Sequence, residues 1–265
     1  MSGVEALVLG VIQGITEFLP ISSSGHLVLV NAFLGWGDVL PLWVDIATNT
    51  GTLLAVIIYL FRDIKSAFLG FFGGLTSAAG RQTAGWRLAM LVIIGSIPTA
   101  IVVLVLKPHF EVFNRPVPVA IGLLVTGFIL WFAPRSGRKT EPRDVTYLDA
   151  LIAGIAQGFA VFPGISRSGT TIATLLFRGT SASLAPRISF LLYLIVSIGV
   201  AIFGAKDVLQ ADVELLPLGI MFVSSFAVGL LCLDVLFRIL QRGKFRLFAP
   251  YVWALAGITL VWSMF

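Results

Sequence analysis

Of the 265 residues, 58% are hydrophobic and 12% are charged, where a soluble domain carries about 25% charged residues. With a mean hydropathy of +1.01, a soluble globule, a disordered chain and a fibrous protein are excluded, and an integral membrane protein remains. The net charge of +5 reads as membrane topology and not as nucleic-acid binding. The single cysteine, Cys232, excludes an internal disulfide framework and a cysteine metal cluster. The N-terminus lacks the basic region of a cleavable signal peptide.

The first apolar stretch, residues 6–33, carries Glu17, Pro20, Ser22, Ser23, Ser24 and His26 in its middle. Each half is too short to span a bilayer. Such a break at membrane depth is tolerated only where protein or a wet cavity covers it, so the stretch is expected to be a re-entrant helical hairpin. Apolar runs at 46–61, 88–106 and 116–134 follow, each long enough to span as a helix rising about 1.5 Å per residue. The first can begin earlier, near Pro41, and the glycine-rich 70–80 between the first two reads as a surface-lying segment. Residues 135–149 are a polar, solvated linker. The second broken stretch, 150–177, holds Pro163, Ser166, Arg167, Ser168, Gly169, Thr170 and Thr171. It is expected to be a second re-entrant hairpin, before spans at 188–205, 215–234 and 247–265.

The two broken stretches match each other. With residues 10–26 set over 154–170, eight of 17 positions are identical, among them Gln13/Gln157, Phe18/Phe162, Ser22/Ser166 and Ser24/Ser168. The expected architecture is therefore an all-α integral membrane protein with six transmembrane helices and two re-entrant hairpins. Its repeats are 1–134 and 150–265, joined by the linker 135–149 in one structural domain. Three spans per repeat is an odd number, so the second repeat enters from the opposite side and the hairpins meet near the midplane, as in inverted-topology repeats. With both termini outside, 14 of the 18 basic residues fall on cytoplasmic segments and three outside, the last being Arg167 in its hairpin, a strong orientation signal. Asp38, Asp45, Asp207, Asp212 and Glu214 are placed in the outer loops.

An ionisable residue at membrane depth is a functional candidate, and the hairpins contain Glu17, His26 and Arg167. Arginine among Ser22, Ser23, Ser24, Ser166, Ser168, Gly169 and Thr171 suits a phosphate, because guanidinium gives paired charge-assisted bonds. Glu17 can hold a divalent cation (Mg, Ca or Mn) or act as a base, with Gln13 one turn earlier as a weaker oxygen ligand. His26 can be a nucleophile or a general acid–base. A bare Glu17–Arg167 pin between the hairpins is the competing structural reading. The ensemble reads as cleavage of a phosphate ester or anhydride on an amphiphile. A haloperoxidase-like phosphatase is discarded, because the remaining histidine, His109, lies outside the hairpins.

GVIQGITEFLPISSSGH and GIAQGFAVFPGISRSGTT resemble the two signature motifs of the undecaprenyl-diphosphate phosphatase family associated with bacitracin resistance, and TGTLLAV at 50–56 and SFLL at 189–192 also fit. The resemblance implies hydrolysis of a polyprenyl diphosphate to the monophosphate carrier for cell-envelope synthesis, in a membrane site open to the outer face. It places the family's second acid on Glu17, and the first on Gln13, where no second carboxylate exists. The serine falls on Ser23 and the histidine on His26; either is left as the attacking group. The second motif falls on Pro163, Gly164, Ser166, Arg167, Ser168, Gly169 and Thr171. The partners expected are the lipid and the bilayer, with no nucleic acid and a homodimer left open. The rival reading is a flippase that moves polyprenyl phosphate intact.

Overall fold

Capping chemistry and prolines set the element boundaries. The structure, a computed structural model, describes residues 1–35, 40–210 and 214–265. Among these the regular structure is helical, apart from one isolated bridge between Lys139 and Thr180. Asp38 and Asp212, placed above in outer loops, lie outside the described residues.

Helix α1 (Gly3–Phe18) begins at a capping box in which Ser2 and Glu5 each accept from the other's backbone N–H. It stops before Pro20, and α2 (Ser23–Leu34) restarts with Ser22 as its cap and ends at left-handed Gly35. Then come α3 (Leu42–Tyr59), α4 (Phe61–Thr76), α5 (Ala84–Leu106), the single turn α6 (Phe110–Phe113) and α7 (Pro116–Phe132). The second part holds α8 (Tyr147–Phe159), α9 (Arg167–Phe177), α10 (Ala185–Gln210), α11 (Leu215–Gln241) and α12 (Phe248–Trp262).

Both broken stretches are thus helix–break–helix units, α1–α2 and α8–α9. Five segments are long and apolar enough to cross a membrane: α3, α5, 185–202 of α10, α11, and 245–262 around α12. Helix α7 has 17 residues and covers about 26 Å, a little under a hydrocarbon core of about 30 Å.

Two expectations need correction. The linker ends at Thr146, three residues early, because Thr146 and Asp149 form a second capping box and start α8. Nor is it wholly solvated: the Asp149 carboxylate is fully buried between Lys139 and Arg178. The 70–80 segment, as expected, lies at the surface: it is the end of α4 and the turn after it, packed along α5 with Gly74 the one buried residue of α4.

Helix α1 lies against α11, and α8 lies against α5. The matched glycines serve these contacts. A Cβ on Gly10 would sit 2.8 Å from the Met221 carbonyl, and one on Gly154 would sit 1.9 Å from the Gly95 carbonyl. The helix backbones approach more closely than any side chain allows. Helix α3 also packs on α11 and on α10. Within this interior Phe18 is fully buried and meets Phe190 edge-on at 5.5 Å, a favoured aromatic geometry. That contact fixes the end of α1, next to Glu17.

Candidate active site

The site lies where the two breaks touch. Ser22 is the cap of α2, and its backbone sits at φ 71°, in the left-handed region. For a non-glycine residue such a conformation costs about 1–3 kcal/mol and persists only when neighbours enforce it. The enforcing contacts are visible: Ser22 Oγ accepts from Gly25 N–H at 3.3 Å and from Gly164 N–H at 3.0 Å, in the other break. Gly164 itself has φ 93°, and a Cβ there would lie 2.3 Å from the Val119 carbonyl. Its carbonyl accepts from Thr126 Oγ1 at 2.8 Å, and that hydroxyl in turn accepts from Ser166 N–H at 3.0 Å. Ser166 caps α9, accepting from Gly169 N–H at 3.1 Å. Two helix N-termini therefore end at one place, and helix N-termini favour anions.

Glu17, at the end of α1, is buried, with only 4% of its side chain exposed. Its Oε1 lies 3.4 Å from Arg167 Nη2 at the start of α9. Its Oε2 accepts from Ser23 Oγ, and from Gln13 Nε2 at 2.9 Å. Arg167 stacks over Tyr193 of α10, 4.8 Å from the ring centroid, and the Tyr193 hydroxyl shares a hydrogen bond with Thr52 of α3 at 3.1 Å. The guanidinium is thus held by a ring on one face and by the Glu17 carboxylate.

These groups line a cavity of about 310 Å³, together with Asp45 and Asn49 of α3 and an apolar wall that includes Val103, Phe110, Val196 and Val200. A polar floor beside an apolar wall fits the head of an amphiphile. A second cavity of about 680 Å³ shares Ser24, Leu27 and Asp45 with the first, and continues past Asn31, Asn114 and Arg115.

The structure brings together Gln13, Glu17, Ser22, Ser23, Ser24, Ser166 and Arg167 on one cavity. Ser168 faces a small adjoining crevice with Glu17, Arg167 and Tyr193. Gly169 packs where a Cβ would meet Ser166 and Pro20 at 3.1–3.2 Å. Thr171 is fully buried, and its hydroxyl donates to the Arg167 carbonyl at 2.8 Å, so it braces α9. His26 stands behind the serine turn and is not among the cavity-lining residues. Its Nδ1 is 2.8 Å from the Ser22 carbonyl, and its Nε2 is 2.8 Å from the Tyr251 hydroxyl. A carbonyl only accepts, so Nδ1 carries the proton and Nε2 accepts from Tyr251 in the neutral ring.

Asp45, read above as an outer-loop acid, instead stands in the first turn of α3 and lines the cavity. The phrase Asp45-x-x-x-Asn49 places two polar side chains one turn apart on a membrane helix, the signal that would have found them. Tyr193 and Tyr251 had no such signal, since an aromatic residue on an apolar helix is ordinary.

Fold and site together define a polytopic helical protein with a carboxylate–guanidinium–serine centre between its helices. The family model described as bacitracin resistance protein BacA matches residues 6–258, and the chain belongs to that family. It is a multi-pass membrane protein. A relative from Acaryochloris marina named undecaprenyl-diphosphatase is 55% identical over 98% of both chains. Relatives of the same name from Desulfosudis oleivorans and Carboxydothermus hydrogenoformans are 41% and 38% identical, each covering at least 97% of both chains.

Proposed function

We propose that the protein is an undecaprenyl-diphosphatase, which hydrolyses the diphosphate of a membrane-held polyprenol to the monophosphate lipid and inorganic phosphate. Full-length relatives of that name support the activity, and they lend no support to the flippase reading. The observation that carries the site assignment is the pair of contacts on Glu17: Ser23 on one carboxylate oxygen and Arg167 on the other. A hydroxyl hydrogen-bonded to a buried carboxylate is the arrangement of an activated nucleophile.

In this reading Ser23 Oγ attacks the terminal phosphorus and its proton passes to Glu17. The bond from that phosphorus to the bridging oxygen breaks, and undecaprenyl phosphate leaves. Water then cleaves the phosphoserine, releasing phosphate and restoring Ser23. Arg167 balances the charge on the phosphoryl oxygens, with Ser166 and the two helix N-termini beside it. His26 secures the Ser22 carbonyl and so the shape of the Ser22–Ser24 turn. Of the two attacking groups left open by the sequence, Ser23 is favoured because it reaches the cavity.

A divalent cation fits the residues present. Gln13 is 1% exposed and its side-chain Oε1 has no hydrogen-bond partner, and a buried oxygen in that state suits a ligand. Glu17 and Gln13 would hold the ion, as hard oxygen donors do. When bound, it would neutralise phosphate oxygens.

The architecture is proposed as an inverted repeat of 1–134 and 150–265, each one re-entrant hairpin plus three spans, with α7 as the sixth span. The exchange of partners supports it, since α1 packs on α11 as its counterpart α8 packs on α5. Both termini are placed outside. The larger cavity, reaching Asn114 and Arg115, supports an opening to that outer face, and its apolar neighbours leave the prenyl tail in lipid.

The test is phosphate release from undecaprenyl diphosphate by the purified protein in detergent. Release by wild type, lost in Ser23→Ala, is expected. A protein that moves the lipid between leaflets without releasing phosphate would overturn the reading.

A further inference from the structure

We infer that Asp45 supplies the second carboxylate of the cation site, so that a divalent ion is held by Glu17 and Gln13 from α1 and by Asp45 from α3. This rests on the cation reading above and deepens it.

Gln13 brings no charge, so Glu17 is the sole acid that α1 contributes to this cavity. Its carboxylate is already shared, with Arg167 at 3.4 Å from Oε1 and Ser23 and Gln13 donating to Oε2. A divalent ion in a partly dry site needs more negative charge than that. Glu17 and Asp45 are the two acids lining the cavity. Among the described residues no cation or hydrogen-bond donor holds the Asp45 carboxylate, and Arg115 on the neighbouring cavity wall makes no ion pair with it. Asn49 ties the two helices together at this level: its Oδ1 accepts from Gln13 Nε2 at 3.2 Å, and its Nδ2 donates to the Asp45 carbonyl at 2.8 Å. That geometry spends the Gln13 amide nitrogen on Asn49 and Glu17 and leaves Gln13 Oε1 buried without a partner. An unpartnered amide oxygen and two carboxylates on one cavity form an all-oxygen donor set of charge −2. That is a chemistry suited to Mg²⁺, Mn²⁺ or Ca²⁺ and poorly suited to softer metals.

The experiment uses Mn²⁺ as the probe and the whole protein in detergent. Mn²⁺ titration followed by electron paramagnetic resonance should give one tight site in wild type. Asp45→Asn and Glu17→Gln should each weaken it at least tenfold. Aspartate carboxyl carbons labelled with ¹³C in otherwise wild-type protein should show hyperfine coupling to bound Mn²⁺, because Asp45 is the aspartate on this cavity. This arm needs no variant to fold. Absence of any Mn²⁺ site in wild type would overturn the cation reading itself. A site that Glu17→Gln weakens, while Asp45→Asn binds as wild type and labelled aspartate shows no coupling, would overturn the role of Asp45 alone.

Discussion

Replacing Arg167 with lysine keeps the charge and removes the shape. The guanidinium lies between the Tyr193 ring, 4.8 Å below, and Glu17 Oε1, 3.4 Å to one side. Arg167 lines the cavity beside Ser166. Lysine can reach the carboxylate as a point charge but cannot present two parallel donors to a phosphoryl group. One lost charge-assisted bond to the transition state is worth about 3 kcal/mol, roughly a hundredfold in rate. The loss should fall on kcat, with KM little changed, because the missing contact strengthens as charge develops on the phosphoryl oxygens. The assay is the initial rate of phosphate release from undecaprenyl diphosphate in detergent, with gel filtration and a thermal melt to confirm an unchanged fold. Arg167→Lys at near-wild-type turnover would show that the arginine is only a counter-charge pinning the two breaks together through Glu17. The same conclusion would follow if Arg167→Lys lost stability and activity in parallel.

Three further outcomes are expected. Ser23→Ala should lose activity more severely than Arg167→Lys, by about four orders of magnitude, the upper range for a proton-transfer step; a stable phosphoserine-free variant with measurable burst kinetics would contradict the covalent route. A cysteine at the exposed Thr140 of the linker, in a Cys232→Ser background, should resist an impermeant thiol reagent in intact cells, and ready labelling would reverse the orientation. Asp149→Asn should cost about 3 kcal/mol, at the lower end for breaking a buried ion pair, read as a lower melting temperature. Burial pushes the Asp149 carboxyl up, but Lys139, the Thr146 cap and Arg178 outweigh it and hold it at about 2. Its folded value is depressed below the ordinary 3.8, so its contribution is complete above about pH 4 and is lost as pH falls through about 2. Asp149→Asn should therefore flatten the acid limb of the melting curve, and an unchanged limb would count against the buried triad.

The elements were legible in the sequence wherever polarity interrupts hydrophobicity. Pro20 and the serines after it announce the first break, and Pro163 with Gly164 the second, because backbone groups freed at membrane depth need partners that only polar residues provide. The match between the two broken stretches showed in glycines and glutamines in register, and the matched Gly10 and Gly154 are helix contacts with backbone atoms of α11 and α5. The boundary of α8 was missed because Thr146 and Asp149 were read as loop polarity, although their spacing is that of a capping box. Asp45 was misplaced for a related reason: an acid at the edge of an apolar run looks like the end of a loop, and only the fold shows that this edge turns inward. His26 was legible as a member of the site but not in its direction. Nothing in the chain near it names Tyr251, which is 225 positions away.

The reciprocal packing of α1 on α11 and of α8 on α5 has a consequence for biogenesis. The glycine face of α1 leaves the ribosome long before its partner exists, since Gly10 and Met221 are separated by 211 residues. At about 5–20 residues per second, that interval is roughly 10–40 s. For much of it the first break also lacks the second, since Gly164, which holds Ser22, follows it by 142 residues. Insertion must therefore tolerate a half-built state in which α1 and α2 rest near the interface: the buried polar centre closes only once the second break is made, and the glycine face of α1 is covered later still, when α11 is delivered. Two halves synthesised as separate chains should accumulate only when expressed together, because each carries the surface that the other must cover.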